Sequence, residues 1–232
     1  MKYKGFFITG TDTGIGKTHV ALGLMRMLQA EGLKVVGMKP VASGATWNGE
    51  QWLNEDALAL RKVSSLSVKL EWVNPYAFEL PASPHIAAKK MGQTVELSSL
   101  LEAFAKLAEV ADCVVVEGVG GWKVPISDHL DVSDLASALE LPVLLVVGLR
   151  LGCISHARLT HESMVHSGVK LAGWIANTLD PGLVHAEAVI ETLCREFGQE
   201  PVAIIPFQPG DPEVHGHLEA WNSTEILRIG RP

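Results

Sequence analysis

The chain has 232 residues, with 19 Lys and Arg against 26 Asp and Glu, and a formal net charge of −7. Its 47% hydrophobic content is enough to bury a substantial core, which excludes general disorder. The acidic balance argues against nucleic acid or an anionic membrane as a partner, because both attract basic proteins. Three cysteines without a CxxC pair, and no run that reads as a signal peptide or membrane span, favour a cytoplasmic protein.

Short apolar runs alternate with longer amphipathic stretches, which is typical of a mostly parallel β-sheet flanked by helices on both faces. In chain order we predict a strand at 5–9, a helix at 17–30, a strand at 34–38, helices at 56–63, 84–90 and 97–110, strands at 113–116 and 142–147, a helix at 154–166, a strand at 171–176, a helix at 184–197 and a strand at 202–205. No repeat or linker interrupts the pattern, so we expect one domain over 1–232.

Two local features add detail to this predicted order of strands and helices. Ser83 followed by Pro84 predicts an N-cap and a first helical residue. The segment 45–54 is polar apart from Trp47 and Trp52, which predicts a mobile loop.

The first predicted strand runs directly into Gly10–Thr18, which reads GTDTGIGKT and opens the first predicted helix. A strict P-loop has four residues between its first glycine and GK[ST], whereas five separate Gly10 from Gly16 here. Glycines at 14 and 16 still allow backbone N–H groups to surround a phosphate at a helix N-terminus. Lys17 would reach the terminal phosphates and Thr18 would hold Mg²⁺, so the segment predicts nucleotide binding.

Two other classes of P-loop protein fit less well. A GTPase normally carries NKxD, and the nearest match, Asn177 to Asp180, lacks the lysine. Partition and ion-pump ATPases place a second lysine early in the loop, where this chain has Asp12.

Three charged residues follow predicted strands or open a predicted helix near the loop. Lys39 follows the second strand and would neutralise charge beside the γ-phosphate, although a solvated strand-end lysine is the simpler alternative. Glu117 ends an apolar strand before a glycine turn and fits an Mg²⁺ ligand, although a surface acid is the alternative. If it is buried, it needs a metal or lysine partner. Asp56 is a second candidate ligand, but helix capping explains it equally well. The nine histidines show no metal-binding pattern, and the cysteines show no nucleophile signature.

The chain resembles the ATP-dependent dethiobiotin synthetases of biotin synthesis over most of its length, from Phe7 to about Phe207. Eight motifs carry the resemblance in order: GTDTGIGKT (10–18), GMKPVASG (37–44), NEDALAL (54–60), VNPYAF (73–78), SPHIAA (83–88), VVVEGVGGW (114–122), LGCISHARLT (151–160) and GWIAN (173–177). The five-residue glycine spacing of the phosphate loop is also that of this family.

The resemblance implies a P-loop NTPase-type fold and a ligase that joins CO2 to 7,8-diaminononanoate with ATP, giving dethiobiotin, ADP and phosphate. A carbamate and a carbamic-phosphoric anhydride are the implied intermediates. Lys17, Lys39 and Ser43 are the implied catalytic residues, with Lys39 and Ser43 also contacting substrate. Mg²⁺ would be held by Thr18, Asp56 and Glu117.

The resemblance also implies binding sites for the rest of ATP and for the far end of the substrate. ATP would be bound by Thr13, Gly14, Ile15, Gly16, Lys17, Thr18, His19, Asp56, Glu117, Gly118, Val119, Gly120, Asn177, Thr178, Ile205, Pro206 and Phe207. Asn177 is the implied adenine reader, and Asp211 is the one candidate for a ribose contact. Gly152, Cys153 and Ile154 would bind the substrate carboxylate across a homodimer interface.

Two alternatives remain open. The first is another P-loop ligase that activates a carboxylate by phosphorylation, like the cobyrinate amidases, although 232 residues leave no space for their glutaminase domain. The second is a module that binds ATP without catalysis, and the presence of Lys39, Ser43 and Glu117 beside an intact phosphate loop argues against it.

Overall fold

A computed structural model describes residues 4–169, 171–207 and 221–230. The described strands are β1 (Gly5–Gly10), β2 (Val35–Met38), β3 (Val41–Ser43), β4 (Thr46–Trp47), β5 (Trp52–Leu53), β6 (Tyr76–Phe78), β7 (Cys113–Glu117), β8 (Val143–Leu149), β9 (Leu171–Thr178) and β10 (Ala203–Ile205). The described helices are α1 (Lys17–Ala30), α2 (Glu55–Val63), α3 (Leu70–Val73), α4 (Pro84–Lys90), α5 (Leu97–Val110), α6 (Val132–Leu139), α7 (Cys153–His166), α8 (Ala186–Phe197) and α9 (Ser223–Gly230).

Six strands form one parallel sheet in the order β10-β9-β8-β1-β7-β2. Alternate side chains of the strands enter two separate cores, except in β10, where Ile204 is half-exposed. Phe7 faces a core built with α5, α6, α7 and α8, whereas Phe6 and Ile8 face a second core built with α1, α2 and α9. Because both faces are covered, the strands are apolar throughout, and this explains the near-continuous hydrophobic runs of the sequence.

The structure confirms the predicted fold class and contains all six predicted strands and all six predicted helices, with boundaries within two residues. It adds α6, α9 and several short elements that the sequence analysis did not identify. The prediction of a loop at 45–54 is wrong in part, because Thr46 and Trp47 pair antiparallel with Leu53 and Trp52 as β4 and β5. The rings of the two tryptophans lie 5.4 Å apart across this hairpin.

The outer edge of β2 is closed by two serine hydroxyls instead of a further strand. The backbone N–H of Val35 donates to the Ser65 Oγ at 3.0 Å, and that of Gly37 donates to the Ser64 Oγ at 3.0 Å. An open strand edge is a template for pairing with another chain. Both serines follow α2 directly, so the end of that helix protects the sheet edge.

Candidate active site

The carboxyl ends of parallel strands meet at one edge of a sheet, and a cleft of about 860 Å³ opens at that edge. Its lining contains twelve of the residues predicted to act in binding or catalysis: Thr13, Gly14, Gly16, Lys17, Thr18, His19, Lys39, Ser43, Asp56, Glu117, Val119 and Gly120. The other lining residues were not predicted to act in binding or catalysis; they are Ala42, Asn54, Pro81, Ala82, Ser83, Pro84 and Val124.

The phosphate loop keeps its curvature through left-handed backbone at Gly14 (φ 69°) and Gly16 (φ 83°). Ile15 between them is buried, and its side chain fills the space left by two other glycines, since a Cβ on Gly10 or Gly148 would collide with it. The loop is therefore anchored by an apolar side chain beneath it. Helix α1 has no side-chain cap and no acidic residue in its first turn, so its N-terminal dipole is uncompensated.

Lys17 is buried although it ends in an ammonium group, with 6% of the residue exposed. Its Nζ donates a hydrogen bond of 2.7 Å back to the carbonyl oxygen of Asp12. Burial, together with the nearby positive charge of Lys39, lowers the pKa of Lys17 to about 8. Among the described residues no carboxylate lies within ion-pair distance of Lys17, so its positive charge is available to bind an anion.

Lys39 occupies the centre of a charged cluster at the base of the cleft. Its Nζ lies 2.5 Å from Glu117 Oε1 and 3.2 Å from Asp56 Oδ2. Burial alone would lower the pKa of Lys39, but the charges of Glu117 and Asp56 outweigh it and hold that pKa above its usual value. Lys39 is therefore a permanent cation, and neither it nor Glu117, which is 1% exposed, is a solvated surface residue.

The same cluster has the donor set that Mg²⁺ prefers. The Thr18 hydroxyl donates to Glu117 Oε1 at 2.9 Å. The second oxygen of Glu117 is buried and has no hydrogen-bond partner in the described part of the chain, an arrangement that a cation would complete. Residues 4–169, 171–207 and 221–230 contain no cluster of three acidic, His or Cys residues able to hold a metal. Magnesium commonly binds to one or two carboxylates plus substrate phosphates, which this set fits.

Two buried asparagines fix the backbone beneath the cluster, and the sequence analysis assigned neither of them a role. Asn74 Nδ2 donates to the carbonyl oxygens of Lys39 (2.7 Å) and Tyr76 (3.0 Å), which ties the end of β2 to β6. Asn54 Nδ2 donates to the Ser43 carbonyl at 3.4 Å. The Asn54 Oδ1 caps α2 by accepting the Ala57 N–H, so capping is not the role of Asp56, whose carboxylate pairs with Lys39.

The residues predicted to bind adenine lie beside the phosphate loop and outside the lining of the cleft. Asn177, at the end of β9, donates from Nδ2 to the Ile15 carbonyl at 2.8 Å and is adjacent in register to Ile205 of β10. Thr178 follows on β9, while Pro206 and the half-exposed Phe207 follow Ile205. Gly118 lies beneath the cluster and accepts a long hydrogen bond from Lys39. Asp211 lies outside the described residues.

The residues predicted to bind the substrate carboxylate do not join the cleft within one chain. Gly152 and Ile154 line a separate depression of about 550 Å³ on α7, and the Cys153 side chain is buried below it. An ion pair between Arg150 and Asp12 links the start of this region to the phosphate loop. Leu151 and Leu159, nearby on the chain, expose 93% and 63% of their surface.

Cys113, Cys194 and His161 belong to residue types that often act in catalysis, but their surroundings do not favour reactivity. Burial raises the pKa of Cys113 to about 12, and burial with a hydrogen bond to Glu200 raises that of Cys194 to about 11, so neither is a thiolate at neutral pH. His161 packs edge-on against Phe197. No helix within the described ranges is long and apolar enough to cross a membrane.

The sheet order, the glycine loop and the charged cluster define a P-loop nucleotide-binding protein. Solved structures with the same fold include the MinD cell division protein of Aquifex aeolicus, with TM-score 0.58, 16% identity and coverage of 99% of this chain and 98% of that one. A ParA family ATPase from Chlorobium tepidum has TM-score 0.53, 14% identity and coverage of 97% and 93%. At these identities the likeness concerns the fold alone.

Sequence comparison gives a narrower assignment. The family model described as an AAA domain (AAA_26) matches residues 4–210. The ATP-dependent dethiobiotin synthetase of Aromatoleum aromaticum is 47% identical over 90% of this chain and 93% of its own length. That of Xylella fastidiosa is 50% identical over 81% and 83%. The chain belongs to the ATP-dependent dethiobiotin synthetase family.

Proposed function

We propose that the protein closes the ureido ring of dethiobiotin from 7,8-diaminononanoate and CO2 with cleavage of ATP. The observation that carries the proposal is the cluster of buried Lys39 and Glu117 with Asp56, beside Lys17 and Thr18, in a chain of this family. The alternative of a carboxylate-activating amidase is not favoured, because the curated relatives named above are synthetases of dethiobiotin.

The reaction divides into three steps, each of which moves negative charge. One amine adds to CO2 and loses a proton, which gives a carbamate. A carbamate oxygen attacks the γ-phosphorus, the bond to the β-phosphate oxygen breaks, and ADP leaves. The second amine then attacks the carbamate carbon and loses a proton, while the bond to the phosphate oxygen breaks and phosphate departs. Catalysis here consists mainly of positioning and charge neutralisation.

The residues of this chain would serve these steps through charge and hydrogen bonding. Lys17 and the N–H groups of the phosphate loop would hold the β- and γ-phosphates, and binding them would raise the pKa of Lys17. Lys39, kept cationic by Glu117 and Asp56, would balance the carbamate and the transferring phosphoryl group. Ser43 Oγ is buried without a partner in the described residues, which suits a hydroxyl that bonds to substrate.

Mg²⁺ is part of the proposal, with Thr18, Asp56 and Glu117 as the residues that would hold it. When bound, the ion would neutralise charge on the phosphates. The proposal is supported by the second oxygen of Glu117, which is buried and has no hydrogen-bond partner among the described residues.

The adenine, the substrate carboxylate and the dimer complete the proposed site. Asn177, Thr178 and the segment 205–207 would bind the base, since they end the strands beside the phosphate loop. Gly152, Cys153 and Ile154 would bind the substrate carboxylate of a second copy of the chain. This is supported by the depression on α7 and by the exposed side chain of Leu151. We propose one domain acting in the cytoplasm, where ATP is available and free thiols persist.

The test is ADP release and dethiobiotin formation by the purified protein with ATP and Mg²⁺, with and without 7,8-diaminononanoate and bicarbonate. We expect ADP only when both are present, with an equal amount of dethiobiotin. If ATP binds and neither compound stimulates its cleavage, the substrate assignment is wrong and the nucleotide site stands. Analytical ultracentrifugation of the wild type and of Leu151→Asp tests the dimer, with a monomeric wild type as the contrary result.

A further inference from the structure

One part of the cleft lining takes no part in the three proposed steps of the reaction. It is the segment Pro81 to Pro84, whose four residues all line the cleft that also contains Lys39. Ser83 is the only residue of this segment with a hydroxyl group. It occupies the predicted N-cap position of α4, but its side chain makes no capping hydrogen bond. The N–H groups of Ile86 and Ala87 donate to the Ser83 carbonyl oxygen instead.

The Ser83 hydroxyl pairs with a histidine two residues further along. Ser83 Oγ lies 3.0 Å from His85 Nδ1, and the same nitrogen lies 3.3 Å from the carbonyl oxygen of Pro125. A carbonyl oxygen can only accept a hydrogen bond, so the arrangement without repulsion has the proton on His85 Nδ1. Ser83 Oγ then accepts from His85, and the serine proton is directed elsewhere.

The position of this proton determines which chemistry is available to Ser83 and His85. His85 Nδ1 cannot remove a proton from Ser83, since it already carries one, and a serine nucleophile is therefore excluded. Ser83 instead presents a hydroxyl group that can donate a hydrogen bond. This donor is strengthened because the Ser83 oxygen accepts a hydrogen bond from the N–H of His85.

We propose that Ser83 binds the carbamate formed from the diamine substrate, by donating a hydrogen bond to a carbamate oxygen, and that His85 is the residue that positions it. The assignment rests on the proposed function. Of the polar groups that this substrate brings to the cleft, the anionic carbamate accepts hydrogen bonds, whereas an ammonium group does not. Ser83 would work together with Ser43, whose buried hydroxyl also lines the cleft and has no partner among the described residues.

The experiment compares Ser83→Ala, His85→Gln and His85→Asn with the wild type. The amide nitrogen of asparagine stands at the distance of Nδ1 from the backbone, whereas that of glutamine reaches the position of Nε2. His85→Asn therefore keeps the donor to Ser83 and His85→Gln removes it. Dethiobiotin formation is measured at saturating ATP and bicarbonate over a range of diaminononanoate concentrations, and the ATP dissociation constant is measured by calorimetry.

We expect Ser83→Ala to lower kcat/KM for the diamine by roughly 10- to 100-fold, as for loss of a hydrogen bond to a charged group, with ATP affinity unchanged. His85→Gln should lower it by several fold and His85→Asn by much less, and Ser83→Ala/His85→Gln should be no worse than Ser83→Ala alone. The unchanged ATP affinity shows that each variant is folded.

Three results would overturn the proposal. They are a Ser83→Ala protein that matches the wild type, equal losses in His85→Gln and His85→Asn, and full additivity in the double variant. A wild type that makes no dethiobiotin overturns the proposed function and this assignment together. A wild type that makes dethiobiotin beside an unaffected Ser83→Ala protein overturns the assignment alone.

Discussion

Replacing Lys17 by methionine should make the nucleotide-free protein more stable, although it removes a residue of the phosphate loop. The folded protein lowers the pKa of Lys17 from 10.5 to about 8. At about 1.4 kcal/mol per pKa unit, burying this charge destabilises the fold by about 3 kcal/mol at pH 7. Methionine also loses the hydrogen bond to Asp12, which contributes about 1 kcal/mol. We therefore expect Lys17→Met to be more stable by about 2 kcal/mol at pH 7.

The sign of the pH dependence provides the sharper test. Below pH 8 the lysine is charged in both the folded and unfolded states, so the destabilisation is complete. As the pH rises from about 8 to 10.5 the folded state releases its proton first, and the destabilisation disappears. Urea unfolding of wild type and Lys17→Met at pH 7 and 9.5, without nucleotide, should show the wild type gaining about 2 kcal/mol relative to the variant. A difference that does not change with pH would refute the reasoning, as would a less stable variant at pH 7.

Three further changes test the surroundings of the cleft. Lys39→Met should destabilise the protein by about 3 kcal/mol in urea unfolding, because it leaves Glu117 buried and unpaired. Adding Glu117→Gln should restore most of the lost stability. A single variant as stable as the wild type would contradict this. Asn54→Ala should lose about 1 kcal/mol with the α2 cap. Asn54→Asp keeps the cap and should lose less stability, yet it should turn over more slowly because it cannot donate to the Ser43 carbonyl. The double change Ser64→Ala/Ser65→Ala should lower stability by about 1–3 kcal/mol and promote aggregation measured by light scattering, since it exposes unpaired N–H groups at the β2 edge. An unaggregated variant of wild-type stability would show that water replaces both hydroxyls.

The positions of Lys39 and Glu117 could be predicted from the sequence because of one geometric rule. Both residues follow apolar runs that read as buried parallel strands, and the carboxyl ends of such strands meet at one edge of the sheet. The phosphate loop was predictable for the same reason, since its glycines follow the first strand. A metal or lysine partner for Glu117 was predictable from the cost of burying a carboxylate, but its identity as Lys39 and the pairing with Asp56 were not, because no spacing rule links positions 39, 56 and 117.

Other parts of the fold depend on contacts that the sequence does not encode locally. The part of the cleft lining from Pro81 to Pro84 comes about 40 residues after Lys39 in the chain. Most elements between them are strands or helices of two to four residues, too short for a periodic pattern to predict them. Helix α6 is different, because its sequence does contain a pattern that predicts a helix. Val132, Leu135, Ala136 and Leu139 follow helical spacing and are buried. The Asp134 carboxylate accepts from the Asp131 N–H at 2.7 Å, a capping pattern with Asp in place of the usual Glu or Gln.

The order of strands in the central sheet determines when each strand can pair with its neighbours while the chain is being synthesised. β1 and β2 leave the ribosome early but do not bond to each other, and the partner that joins them is β7, through pairs such as Gly5 with Val114 and Val35 with Cys113. At roughly 5–20 residues per second, these two strands wait on the order of 10 s for it. The second neighbour of β1, which is β8, follows later still, where Phe7 meets Val143. The nascent phosphate loop therefore acquires its supporting sheet only after about half of the chain has emerged, and ATP cannot assist the folding of the first half.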